Sequence, residues 1–153
     1  MPLSSFKELK MSSSSDKIKW NQIFEMGIVN IDDQHRVLVD TINKANHLLT
    51  NDYTIENLQE ITKDLINYAD FHFKTEEELM ETYQYSSYML EDYDMHIQEH
   101  REFSVKVQNI HDELVEGNSI ERAEIINFLC QWLIDHTHTT DKKLGYFLEK
   151  NIT

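Results

Sequence analysis

A chain of 153 residues can form one domain whose core needs no disulfide support. Its 28 acidic residues against 14 basic ones give a formal charge of -14, which repels phosphate and excludes nucleic acid or an anionic membrane as the main partner. A single cysteine rules out an internal disulfide and a multi-thiolate metal site, so any metal must be held by nitrogen and oxygen.

Three Gly, one Pro and apolar residues at three- and four-residue steps predict an all-α chain. Residues 1–17, with SSSS at 12–15, read as a flexible tail, and Met11 as a second potential start. No apolar run approaches the roughly 20 residues of a membrane span and the N-terminus lacks an apolar signal core, so the expected location is cytoplasmic. Residues 18–153 are the expected domain. In them KIKWNQIFEMGIVN (17–30) reads as an ordered arm that lays Trp20, Ile23 and Phe24 on the bundle.

Four long helices are expected. The first follows NIDDQ, where Asp32 or Asp33 can cap, and runs to about Leu49; the second runs from about Ile55 to Tyr83. The third spans roughly Ser87 to Glu116, ended by Gly117-Asn118, and the fourth runs from Ser119 or Ile120 to about Lys150. Such short connections imply an antiparallel up-down-up-down four-helix bundle.

A helix shows its buried face at three- and four-residue spacing, and here each inward stripe is interrupted by polar groups. The stripes read Ile31, His35, Leu38, Ile42, Ala45, Leu49, then Leu58, Ile61, Leu65, Tyr68/Ala69, His72, Glu76, Leu79, Tyr83. The third reads Met89, Tyr93, His96, His100, Phe103, Val107, Ile110, Leu114; the fourth reads Ile125, Leu129, Trp132, His136, Thr140, Leu144, Phe147, with Asp141 beside it. Up-down topology carries the seven polar groups to one end of the bundle. No Lys or Arg shares the stripes near Glu76 or Asp141, and an unpaired buried carboxylate costs several kcal/mol. A buried cation makes all seven favourable, and the i, i+4 pairs His96/His100 and His72/Glu76 can each grip one ion. His47, His111 and His138 fall off the pattern, Glu77 and Glu78 are left to solvent, and Cys130 is read as a packed thiol.

Residues 96–100, HIQEH, fit the H-x-x-E-H pattern of inverted zinc proteases, with Glu99 as base, but that reading gives the other five groups no role and leaves Glu99 as a surface residue or a support behind the layer. Paired Glu-x-x-His motifs of ferritin-like di-iron proteins do not occur. Five imidazoles and two carboxylates exceed one ion's needs, so two bridged ions are implied. If Glu76, Asp141 and one solvent oxygen bridge, the histidines divide three and two, which leaves one open position. Iron suits this donor set, as do zinc and manganese. The i, i+5 step from His136 to Asp141 overshoots one turn and predicts a local π-bulge.

DDQHRVLVDTIN, HFKTEEELM, HIQEHREF and WLIDHTHTTDKK, with the order H…HxxxE…HxxxH…HxxxxD over about residues 18–150, resemble the successive ligand motifs of the hemerythrin family. The resemblance implies two non-haem iron ions in an oxo- or hydroxo-bridged centre that binds dioxygen reversibly as hydroperoxide, for carriage or storage rather than catalysis. It also implies that His96, His100 and His136 hold the saturated iron, His35 and His72 the open one, and that Glu76 and Asp141 bridge. Leu133 falls where the family places an apolar pocket residue, with Trp132 and Trp20 packing around it. Where members of the family often carry Ile, this chain has Thr137-His138-Thr139-Thr140, which is expected to make the neighbourhood more polar. An oxygen or redox sensor, or a scavenger of iron, peroxide or nitric oxide, would use the same site. The absence of an attached output module favours carriage, and a monomer or weak homo-oligomer is the expected form.

Overall fold

The computed structural model describes residues 18–50, 54–118 and 120–152; the stretch read as a tail, 1–17, and Ser119 lie outside it. The helices are α1 (Val29–Thr50), α2 (Ile55–Thr82), a single turn α3 (Tyr85–Tyr88), α4 (Leu90–Val115), α5 (Arg122–Asp135) and α6 (Asp141–Asn151). A π-helical segment, His136–Thr140, joins α5 to α6 as one continuous rod. No strand occurs among the described residues. Side-chain pairs that run in opposite directions along neighbouring rods show the antiparallel packing: Gln59 donates to the Leu114 carbonyl, Thr62 meets His111 and Ser104 donates to Asp70. Glu99 meets His136 while Phe103 meets Trp132, the same opposed direction in the next pair of rods. The molecule is therefore the expected all-α four-helix bundle.

Several boundaries differ from the sequence reading, each for a local reason. α1 begins at Val29, before NIDDQ, because the Asp32 carboxylate reaches back to accept from the backbone N–H groups of Met26 (2.7 Å) and Gly27 (3.3 Å). The second crossing contains a tight reversal in which Gln84 takes φ 59° and ψ 42°. That reversal releases α3 as a separate turn and buries Tyr85 in place of Met89, which is 41% exposed. In α6 the buried face is Leu144, Gly145 and Leu148, with Phe147 only half-buried.

The arm is bound by specific contacts. Asn43 accepts from the Ile18 N–H at 2.8 Å and donates to its carbonyl at 2.7 Å, pinning the arm to α1. Phe24 is buried, with Trp20 and Ile23 packed against the same core. The Met26 carbonyl lies against Gly145 so closely that a Cβ there would sit 2.6 Å from it, and Lys142 donates to the Glu25 carbonyl.

The core falls into two apolar clusters. The larger includes Phe24, Leu38, Ala69, Phe103 and Leu133; the smaller includes Ile31, Met80, Ile97, Leu144 and Leu148. In each long rod the seven polar groups lie between residues of one cluster and residues of the other, so the fold sandwiches a polar layer between two apolar ones.

Candidate metal centre

The polar layer contains His35 from α1, His72 and Glu76 from α2, His96 and His100 from α4, His136 at the start of the π segment and Asp141 just beyond it. None is more than 2% exposed. Their inward atoms form two groups, each with its atoms within 4.8 Å of one another: Glu76, His96, His100, His136 and Asp141, and His35, His72, Glu76 and Asp141. Both carboxylates belong to both groups.

The π segment is what brings Asp141 into the layer. Its N–H donates to the carbonyl of His136, five residues back, and the wider turn returns the side chain to the face His136 occupies. Asp141 Oδ1 then lies 3.0 Å from Nε2 of both His96 and His136, while Oδ2 lies 2.9 Å from His35 Nε2. Glu76 Oε1 lies 3.0 Å from His100 Nε2 and 3.5 Å from Nε2 of His72 and His96.

Of these contacts the His100–Glu76 pair has hydrogen-bond geometry. Among the described residues, Nε2 of His35, His96 and His136, Glu76 Oε2 and both oxygens of Asp141 are buried without a hydrogen-bond partner. An unsatisfied buried polar group costs about 1–3 kcal/mol, more when charged. So many converging orphans fit a shared cation, and nitrogen with bridging oxygen suits a pair of ions such as iron, manganese or zinc.

The outer ring nitrogens fix which nitrogen faces inward. Nδ1 of His35 donates to the Phe24 carbonyl (2.6 Å), of His72 to Gln34 Oε1 (2.8 Å), of His100 to Glu77 Oε2 (2.8 Å) and of His136 to Glu99 Oε1 (2.7 Å). With Nδ1 donating, the Nε2 lone pair points at the centre. His96 Nδ1 lacks such a partner. Two rings are also held by stacking: Phe73 on His100 at 4.0 Å and 12°, and Trp132 on His136 at 4.4 Å and 13°. Trp20 instead stacks on Phe24.

These contacts amend the sequence reading at Glu77 and at the threonines, agree with it at Glu99, and add supports it did not name. Glu77 is not left to solvent: it holds His100, whereas Glu78 is exposed. Gln34 and the Phe24 carbonyl, which no stripe singled out, orient His72 and His35. Glu99 is a half-buried hydrogen-bond acceptor, shared between His136 and the Thr140 hydroxyl. The hydroxyls of Thr137 and Thr139 are bound to the carbonyls of Leu133 and Asp135, so they add no free donors to the layer. His47, His111 and His138 are half-buried and outside both ligand groups, and Cys130 is fully buried.

Electrostatics describe a site that holds protons in the absence of a cation. Burial, the largest single influence, lowers every imidazole; the facing carboxylates, Asp141 first, overcome it at His35, raised to about 9. Burial is likewise outweighed at His96, raised to about 10 by Asp141 and Glu76. His136 is also raised, by Asp141. Burial prevails at His72, lowered to about 4, and at His100, lowered to about 3. Asp141 is held well below the usual carboxylate range despite its burial, by His136, His35 and His96.

Shared carboxylates between a set of three imidazoles and a set of two, inside a four-helix bundle, define a candidate binuclear metal protein. The sequence model of the Hemerythrin HHE cation binding domain matches residues 26–148, and the chain belongs to the hemerythrin family. It is 28% identical over 128 residues to the bacteriohemerythrin of Clostridium acetobutylicum, covering 81% of this chain and 95% of that protein. With a hemerythrin of Sipunculus nudus the identity is 30% over 133 residues, covering 87% and 95%. A crystal structure of wild-type hemerythrin superposes with a TM-score of 0.76 at 24% identity, over 84% of this chain and 95% of that one, which is a likeness of fold.

Proposed function

We propose that this chain is a non-haem di-iron protein that binds dioxygen reversibly, as a carrier or store. One observation carries the reading: Glu76 and Asp141 belong at once to a three-histidine and a two-histidine group. In this reading His96, His100 and His136 hold one ion, His35 and His72 hold the other, and the two carboxylates bridge. When bound, such a pair supplies two electrons and one vacant position to dioxygen.

The chain's own residues account for the remaining requirements. Phe24 and Gln34 hold His35 and His72 with Nε2 inward, so the less crowded position needs no reorganisation. Leu133, 2% exposed and one turn before His136, belongs with Phe24, Ala69 and Phe73 to the apolar cluster against the layer, which keeps bulk water from it. A dry site strengthens fixed charges and excludes the side reactions that water permits. The threonine hydroxyls of 137 and 139 are spent on backbone carbonyls and so add no proton donor of their own to the layer.

The test is anaerobic reconstitution with ferrous iron followed by cycles of oxygen and argon in a spectrophotometer. A visible band that forms with oxygen and disappears when oxygen is removed supports the reading. Irreversible conversion with release of peroxide contradicts it and favours oxidase or sensor chemistry.

A further inference from the structure

The two histidine groups differ in what stands behind them. His100 and His136 are backed by carboxylates, Glu77 at 2.8 Å and Glu99 at 2.7 Å. His35 and His72 are backed by neutral acceptors, a peptide carbonyl and a side-chain amide. A carboxylate drawing on Nδ1–H gives the ring imidazolate character, so Nε2 donates more strongly to an ion. It also places negative charge one ring away, favouring the higher oxidation state.

Glu99 is positioned for this. Its Oε1 accepts from both His136 Nδ1 and the Thr140 hydroxyl, each at 2.7 Å, and its side chain is 25% exposed. Glu77 is 41% exposed and therefore more screened. Among the described residues neither carboxylate is paired with a lysine or arginine, while Lys143, on the same face as Glu99, lies 3.6 Å from Asp92. Their charge is thus directed at the imidazoles.

We propose that Glu77 and Glu99 are positioning residues that make the two metal positions electronically unequal, so that the ion held by His96, His100 and His136 is oxidised first. This rests on the di-iron reading above. Removal of one electron by an outer-sphere oxidant then leaves a ferric ion on the three-histidine side and a ferrous ion on the two-histidine side, with no bond made or broken.

The test uses the iron-loaded protein under argon, titrated with ferricyanide, which takes one electron to become ferrocyanide, while EPR follows the half-oxidised state. Glu99→Gln and Glu77→Gln keep an acceptor oxygen and remove the charge. Each is expected to raise the potential of the first step, Glu99→Gln by more, with a change of roughly tenfold in its equilibrium constant, about 59 mV for one electron. Gln34→Glu, which puts a charge behind His72, is expected to lower a potential and change the half-oxidised EPR signal. A full complement of two irons with first potentials unmoved in the Glu variants overturns the inference and leaves the di-iron reading standing. A shift confined to the second step overturns it too, because the charge would then lie behind the ion oxidised last. Failure of the unsubstituted chain to take up iron overturns both.

Discussion

Asp141 faces more imidazoles at close range than any other side chain in the layer, with three Nε2 atoms within 3.0 Å. Asp141→Asn removes the charge that holds His35, His96 and His136 in their raised state. Breaking a buried charge network by removing one partner costs about 3–5 kcal/mol, and a loss of that size is expected for the iron-free protein at pH 6, read by urea unfolding. If His35 and His72 are the only imidazoles on one ion, His72→Ala is expected to leave fewer than two irons per chain, whereas Cys130→Ala retains both; iron analysis after desalting checks this. All seven groups of the layer were legible in the sequence because each takes the place of a core residue or adjoins one and so keeps the helical period. Their supports, Glu99 apart, were not. Glu77 and Gln34 each adjoin a layer residue, about 100° round the helix, and sequence alone does not say which neighbouring rod they meet.

At the scale of elements, the π segment and the arm place the site. Inserting one alanine between Thr139 and Thr140 would carry Asp141 about 100° further round the helix from His136. The expected result is retained helicity by circular dichroism with loss of the second iron; full loading in the insertion variant would show that the spacing from His136 to Asp141 is not needed. Gly145 tests the arm. Gly→Ala in a helix interior ordinarily stabilises by about 1 kcal/mol, but here the new methyl would meet the Met26 backbone carbonyl at 2.6 Å. Overpacking of this kind costs about 1–3 kcal/mol, so Gly145→Ala is expected to lower the melting temperature and to perturb Trp20 fluorescence as the arm shifts. The π-bulge could be read from the i, i+5 spacing of His136 and Asp141, which interrupt the apolar stripe of the fourth rod. The separate turn Tyr85–Tyr88 could not, since it depends on Gln84 adopting a left-handed conformation that its residue type does not announce.

For the whole molecule, a polar layer between two apolar clusters makes stability depend on what neutralises the layer. His35 and His96 are raised to about 9 and about 10 against an unfolded value near 6.5. Their contribution is therefore full below pH 6.5 and is lost as pH rises through 9 and 10. His72 and His100, lowered to about 4 and about 3, act oppositely: their contribution is lost as pH falls below 6.5. The iron-free protein is expected to be most resistant to urea near pH 6.5 and to weaken on both sides. Iron should flatten the alkaline limb, because the ions replace the protons on His35 and His96; an unbuffered solution should acidify as iron binds. The bundle itself was legible from periodicity and short connections; its division into two clusters was not, because the stripes carried the polar groups to one end, whereas Ile31, Met80, Leu144 and Leu148 close the layer on that side.

If Glu76 and Asp141 join two irons into one centre, the spins of the two ions are coupled. Mössbauer spectroscopy of protein loaded with ⁵⁷Fe and fully oxidised reads that coupling. Two irons per chain with a diamagnetic ground state are expected, as two ferric ions coupled through shared bridges give. One iron per chain, or two irons with separate paramagnetic spectra, would contradict it.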